Sequence, residues 1–171
     1  MQVYIPATVP LLSLLVAEGS LWPLNGTAFA VTAALRESYS EGDDEELSEV
    51  ALREAALASL RLLAMEAADA DHLLLRRAVL VAEVDLAAGE ATCRPDLDTA
   101  VVRLAAPVTL DRVVAAYVDN AAAEAAVAAA VPVIDAADLG DEDAELIVGD
   151  AQDQDLAWYA TQELPFLLDL L

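Results

Sequence analysis

The chain reads as α+β: a small mixed β-sheet of about four to five short strands flanked by helices, with a helical C-terminal segment. Three observations predict this. Apolar runs of strand length recur at residues 3–5, 28–31, 78–84, 101–105 and 113–118. One long stretch, 44–68, carries Leu52, Ala56, Leu60 and Leu63 at helical spacing. The order of elements is neither a clean β–α alternation nor helix throughout. At 171 residues, 58% of them hydrophobic, one domain over 1–171 with an ample core is expected. Residues 135–171 read as a helical C-terminal extension packed on it.

Each element has a local reason. Val3-Tyr4-Ile5 opens as a strand that Pro6 ends or places at an edge. Thr8 is placed to cap a helix with Pro10 in its first turn, and Gly19 to stop it. Pro23 and Asn25-Gly26 mark a turn. Ala28–Val31 is a second strand, and Thr32 caps a short helix over Ala33–Tyr39. Carboxylates in Ser40–Glu46 suit the positive end of the long helix that follows. Within that helix Glu49 and Arg53 stand at i and i+4 in the favourable order. Ala78–Val84 and Val101–Ala105 are strands, joined through Gly89 and the Cys93–Asp98 stretch. Leu110–Val118 matches both helix and strand; a brief helical turn followed by a strand is the preferred reading. Ala121–Val131 is an alanine-rich helix ended by Pro132, and Asp141–Val148 and Asp153–Leu164 are two further helices. Trp158 and Tyr159 are the docking side chains of the last, and Leu167, Leu168, Leu170 and Leu171 need cover from this domain or a second subunit.

Charge is the dominant chemical fact. There are 31 Asp and Glu against 8 basic residues, a formal net charge of −23. All eight basic residues are Arg, and the 59 residues after Arg112 hold 13 carboxylates and no basic side chain. Phosphate recognition needs a basic patch, so direct nucleic-acid binding is not expected, and an anionic membrane surface is disfavoured for the same reason. The one adjacent basic pair, Arg76-Arg77, reads as the flank of a strand. No apolar run approaches the length of a bilayer span, and the N-terminus lacks a basic signal-peptide region. A cytoplasmic protein is expected.

The usual catalytic sets are missing from the sequence. His72 and Cys93 are the only residues of their kinds, so no zinc spacing exists and no metal is expected. The carboxylates at 141–155 do not follow the calcium-loop pattern. There is no Gly-x-Ser-x-Gly elbow, and the six glycines are scattered singly, so no cofactor is expected. Two polar-aromatic segments remain as a possible ligand or partner surface: Tyr4 with Thr8, and Trp158, Tyr159, Gln162 and Glu163. The competing reading is that the aromatics pin a terminal helix to the sheet.

Four segments carry a resemblance: Val3–Thr8 (VYIPAT), residues 28–37 (AFAVTAALRE), 135–145 (DAADLGDEDAE) and 158–165 (WYATQELP). On these the chain resembles an uncharacterised family of small acidic actinobacterial proteins carrying a domain of unknown function. That likeness implies a short, acidic, cytoplasmic protein and assigns no catalytic residue. The functional expectation is a non-enzymatic interaction or regulatory protein with an acidic surface, a basic protein partner, and homodimerisation through the C-terminal helix. The alternative is a small-ligand protein or an enzyme of unfamiliar type with a site near Tyr4, Thr8 and Trp158–Glu163.

Overall fold

A computed structural model describes residues 1–68 and 74–171; His72 lies outside the described residues. Nine strands and seven α-helices are described. In chain order they are β1 (Gln2–Ala7), α1 (Val9–Glu18), β2 (Ser20–Leu21), β3 (Thr27–Phe29), α2 (Ala33–Ser38), α3 (Asp44–Ala67), β4 (Ala78–Glu83) and β5 (Ala91–Cys93). Then follow β6 (Val101–Leu104), β7 (Val108–Thr109), β8 (Val113–Val118), α4 (Glu124–Ala130), α5 (Ile134–Asp138), α6 (Glu142–Gln152), β9 (Ala157–Ala160) and α7 (Leu164–Leu170). The α+β class stands, but the sheet exceeds the expected four to five strands. Seven strands run in the order β5-β6-β3-β1-β4-β8-β9, and β2 pairs with β7 in a separate ribbon. A mixed sheet was the expectation; every neighbouring pair is antiparallel.

Helices cover both faces of the large sheet. On one, Val3, Ile5, Leu80, Val102 and Val118 pack against Leu12 and Leu15 of α1 and Leu164 and Leu167 of α7. On the other, Tyr4, Phe29, Val79, Val81 and Val101 meet Leu35 of α2 and Leu47, Ala51 and Ala55 of α3. Double burial is why these strands read as continuous apolar runs rather than as alternation. A third cluster joins the second half of α3, through Leu60 and Leu63, to Val127 of α4, Ile134 of α5 and Val148 of α6. Among the described residues no helix is long and apolar enough to cross a membrane.

Local signals acted largely as expected. Asp43 accepts from the Glu46 N–H and starts α3, with Asp44, Glu45 and Glu46 in its first turn. Thr32 caps α2 at the Leu35 N–H. Gly19 ends α1 in the left-handed region, at φ 81°. A 3-10 turn over Leu110–Arg112 leads into β8.

Four expectations fail. Pro6 neither ends β1 nor puts it at an edge: the strand runs on to Ala7 between β3 and β4, with Pro6 opposite Val79. Thr8 precedes α1 but makes no capping bond; its hydroxyl donates 2.8 Å to Glu66 Oε1 at the far end of α3. Arg53 does not pair with Glu49; it donates to the Gln152 carbonyl of α6, and the Gln152 amide returns a bond to the Arg53 carbonyl. The helix expected over Asp153–Leu164 does not form. α6 runs on to Gln152, and residues 157–160 lie as β9 along the open edge of β8. That edge supplies backbone partners over four paired positions, and aromatic residues sit well on a pleated surface. Tertiary pairing outweighs a helical pattern this short.

One buried ion pair joins these layers. The Arg77 and Asp119 side chains, at the start of β4 and the end of β8, are 1% and 0% exposed. Arg77 Nε and Nη2 grip the two oxygens of Asp119 at 2.9 and 2.8 Å, and the Arg77 N–H adds a 2.8 Å bond. The guanidinium also donates to Gln152 Oε1 and the Gln154 carbonyl, tying down the segment between α6 and β9. Removing one partner strands the other charge in the core, which costs about 3–5 kcal/mol. Arg77→Met should therefore lower unfolding free energy by about that amount in urea melts, and Arg77→Met with Asp119→Leu by clearly less. Equal losses would show that the burial of Asp119 carries no penalty.

Candidate functional site

The long helix α3 builds the site with its first half. Glu45, Ser48, Glu49 and Leu52 fall at i, i+3, i+4 and i+7 and so share one helix face. That face overhangs the sheet at Tyr4 of β1 and Tyr117 of β8, forming a groove of about 240 Å³ lined by these six residues. Tyr4 and Tyr117 lie on the α3 side with β4 between them, over Val79 and Val81. A second groove, of about 270 Å³, continues past Tyr4 and Ser48 to Met1, Gln2, Val31, Arg36 and Asp44.

The chemistry of the first groove is lopsided. It holds two phenols, two carboxylates and a hydroxyl, and no basic side chain. Tyr4 is only 7% exposed, yet it lines both grooves, and its hydroxyl bonds to no other described residue. Ser48 donates to the Asp44 carbonyl, which leaves its oxygen free to accept. Partial burial pushes the Tyr117 phenol above its ordinary range, and neighbouring Tyr4 and Glu49 push it the same way. Beside the second groove, the Arg36 hydrogen bond holds the Asp44 carboxyl below its usual range.

The residues singled out from sequence scatter around this place. Tyr4 is in the groove. Trp158, 57% exposed, pairs directly across from Tyr117 on β9. Thr8 sits four residues along from Tyr4, about 13 Å at strand rise, bonded to Glu66. Tyr159 points to the opposite face, against the α1–α7 core. Gln162 is exposed in a 3-10 turn, and Glu163 accepts from the Ala160 N–H at 3.4 Å. Sequence reasoning missed Tyr117, Glu45, Ser48, Glu49 and Leu52. The 45-48-49-52 spacing was a readable signal; that Tyr117 faces it depends on the strand order.

Around the groove the surface offers little positive charge, because every arginine is engaged. Arg36, Arg61, Arg76, Arg77, Arg94 and Arg112 pair with Asp44, Asp138, Glu124, Asp119, Asp96 and Glu90. Arg53 and Arg103 donate to backbone carbonyls of Gln152 and Asn25. Among the described residues no group of three or more His, Cys, Asp or Glu is arranged to hold a metal ion.

Fold and charge thus define an acidic α+β domain whose seven-stranded antiparallel sheet is covered on both faces. A family model described as a family of unknown function, DUF6912, matches residues 1–168, and the chain belongs to that family. Neither a curated protein nor a solved structure matches it.

The electrostatics of the groove can be read from its phenols. In a spectrophotometric titration Tyr117→Phe should delete a late-ionising tyrosine. Glu49→Gln should bring that transition to lower pH, because a neighbouring negative charge disfavours the phenolate. An unchanged curve in Glu49→Gln would place the carboxylate away from Tyr117.

Proposed function

We propose that this protein is a non-enzymatic interaction protein that recognises a basic protein partner through its acidic surface. The observation that carries the reading is the charge balance. Of 39 charged Asp, Glu and Arg side chains only 8 are positive, and all eight are bonded within the chain. Six of the eight pair with carboxylates and two, Arg53 and Arg103, with backbone carbonyls, so the exposed field is predominantly negative. Such a field speeds encounter with a cationic surface and repels anionic ones. The Lys-free, Ala-rich composition accords with the small acidic actinobacterial proteins that the chain resembles, and a cytoplasmic setting is part of the same proposal.

The alternative, a small-ligand protein or an enzyme of unfamiliar type, draws its support from the groove at Tyr4. Against it, Thr8, Tyr159 and Glu163 are engaged elsewhere.

Self-association is a linked proposal. Leu164 and Leu167 are covered by the protein's own core, whereas Phe166 and Leu170 on α7 stay 73% and 85% exposed, with Leu14 of α1 also open. Two copies with net charge −23 can approach most easily through this largely apolar face, on which Asp169 is the one charged side chain of α7.

Tagged protein incubated with lysate of its native organism should retain a basic protein in stoichiometric amount at about 50 mM salt and release it at about 300 mM, as screening shortens the reach of the field. Retention of acidic partners only, or of none, would contradict the reading. For the linked proposal, sedimentation at high micromolar concentration should show a dimer that Phe166→Asp dissociates; a wild-type monomer there ends it.

A further inference from the structure

The two grooves, the ribbon-side pocket at Arg112 and the α1–α7 face differ in what they offer a ligand. The pocket at Arg112 is bordered by a bidentate bond from that guanidinium to Glu90, so its one positive charge is already paired. The α1–α7 face is largely apolar, with Ser13 and Asp169 as isolated exposed polar groups that form no pocket. The groove over Tyr4 and Tyr117 is different, because it gathers hydrogen-bond acceptors with no donor partner among them other than the phenol protons.

We propose that the groove lined by Tyr4, Glu45, Ser48, Glu49, Leu52 and Tyr117 is the seat for one arginine side chain of the basic partner; this rests on the reading above and gives it a site. Glu45 and Glu49 stand one helical turn apart on α3 and present carboxylates along one wall. Tyr4 and Tyr117 rise from the sheet as the other wall, two strands apart and two residues out of register, so about 12 Å between backbones. The acceptors are therefore spread rather than focused on a point. A planar guanidinium with five donors in a fixed fork meets a spread of acceptors, whereas an ammonium is a compact point charge. The phenol faces and Leu52 suit the apolar stem of such a side chain, and an aromatic face also attracts the cation itself.

Tyr4 is the observation that points to a ligand rather than to a solvated acidic helix. A nine-tenths buried tyrosine normally finds a partner for its hydroxyl. Here the hydroxyl bonds to no other described residue and is not sealed from solvent, and the side chain lines both grooves, so a groove ligand can reach it. An incoming guanidinium donates to that oxygen in place of water. Trp158, across from Tyr117 and largely exposed, extends the aromatic surface at the strand edge for the residues beside that arginine.

The test is an NMR titration of the whole protein with the amidated peptide Arg-Gly-Arg-Gly-Arg at about 50 mM salt, a low ionic strength at which exposed charges are weakly screened. Shift changes should centre on the amides of residues 2–4, 45–52 and 115–118. Tyr4→Phe combined with Tyr117→Phe, or Glu49→Gln alone, should weaken binding about tenfold, the scale of a lost hydrogen bond to a charged group. Glu142→Gln, the same charge change on exposed α6, should alter it less than about twofold. A lysine version of the peptide should bind several-fold more weakly. Shifts spread over the whole acidic surface, or equal losses in Glu49→Gln and Glu142→Gln, would overturn the arginine seat and leave the basic-partner reading standing. No binding of either peptide would overturn both. Undisturbed spectra of the free Tyr→Phe variants guard against a folding artefact.

Discussion

The structure depends on the buried pair between Arg77 and Asp119. Burying two charges costs several kcal/mol per ion, so the pair survives only because nearly every polar atom is satisfied. Asp119 accepts from the Arg77 backbone and from two guanidinium nitrogens, and Arg77 also reaches Gln152 and Gln154. Those partners lie on β4, on β8 and on the segment that leads into β9. The pair thus fixes where the C-terminal strand leaves the helical layer and joins the sheet. Ser59, buried in the middle of α3, does a related job nearby. It donates to the Ala7 carbonyl and accepts from the Ala78 N–H, which locks α3 onto β1 and β4 together.

Charge asymmetry along the chain acquires a structural meaning from the same region. The last 59 residues have no basic side chain, yet they fold against the rest. Arg53 and Arg61 of α3, with Arg76 and Arg77 before β4, all reach across to them. Their targets are Gln152, Asp138, Glu124 and Asp119. Half of the arginines hold the acidic C-terminal portion to the remainder of the domain. The remaining four bond near the sheet and its loops, to Asp44, Asp96, Asn25 and Glu90. Six of the eight cations are paired with carboxylates within the fold, and the charge left over is predominantly negative. Exposed pairs of this kind contribute little each, whereas the buried one cannot lose one partner without stranding the other.

Much of this was legible in the sequence where a residue acts on its own neighbours. Gly19 and Thr32 announced helix boundaries, and the Ser40–Glu46 carboxylates the start of α3, because their roles are local. The five longer apolar runs gave the central strands for the same reason. What was hidden depends on distant partners. β2, β5 and β7 are two or three residues long and exist only through their ladders. β9 reads as helix until the open edge of β8 is known. Thr8 has the composition of a cap and spends its hydroxyl on Glu66, fifty-eight residues away. Of the candidate site, Tyr4 was visible as a polar aromatic in an early strand. Its companions were not, since only the order β1-β4-β8 brings Tyr117 beside it.

The account makes β9 part of the sheet's cooperative unit rather than a loosely docked tail, and places Trp158 on a firm edge beside the groove. Ala160 turns its N–H to Glu163, so by strand alternation Ala157 and Tyr159 bond to β8. Native-state amide hydrogen exchange measures this directly. The account predicts that the amides of Ala157 and Tyr159 open with the same free energy as those of β4 and β8. Exchange of these two amides through a local opening far cheaper than global unfolding, with β4 and β8 still protected, would contradict it.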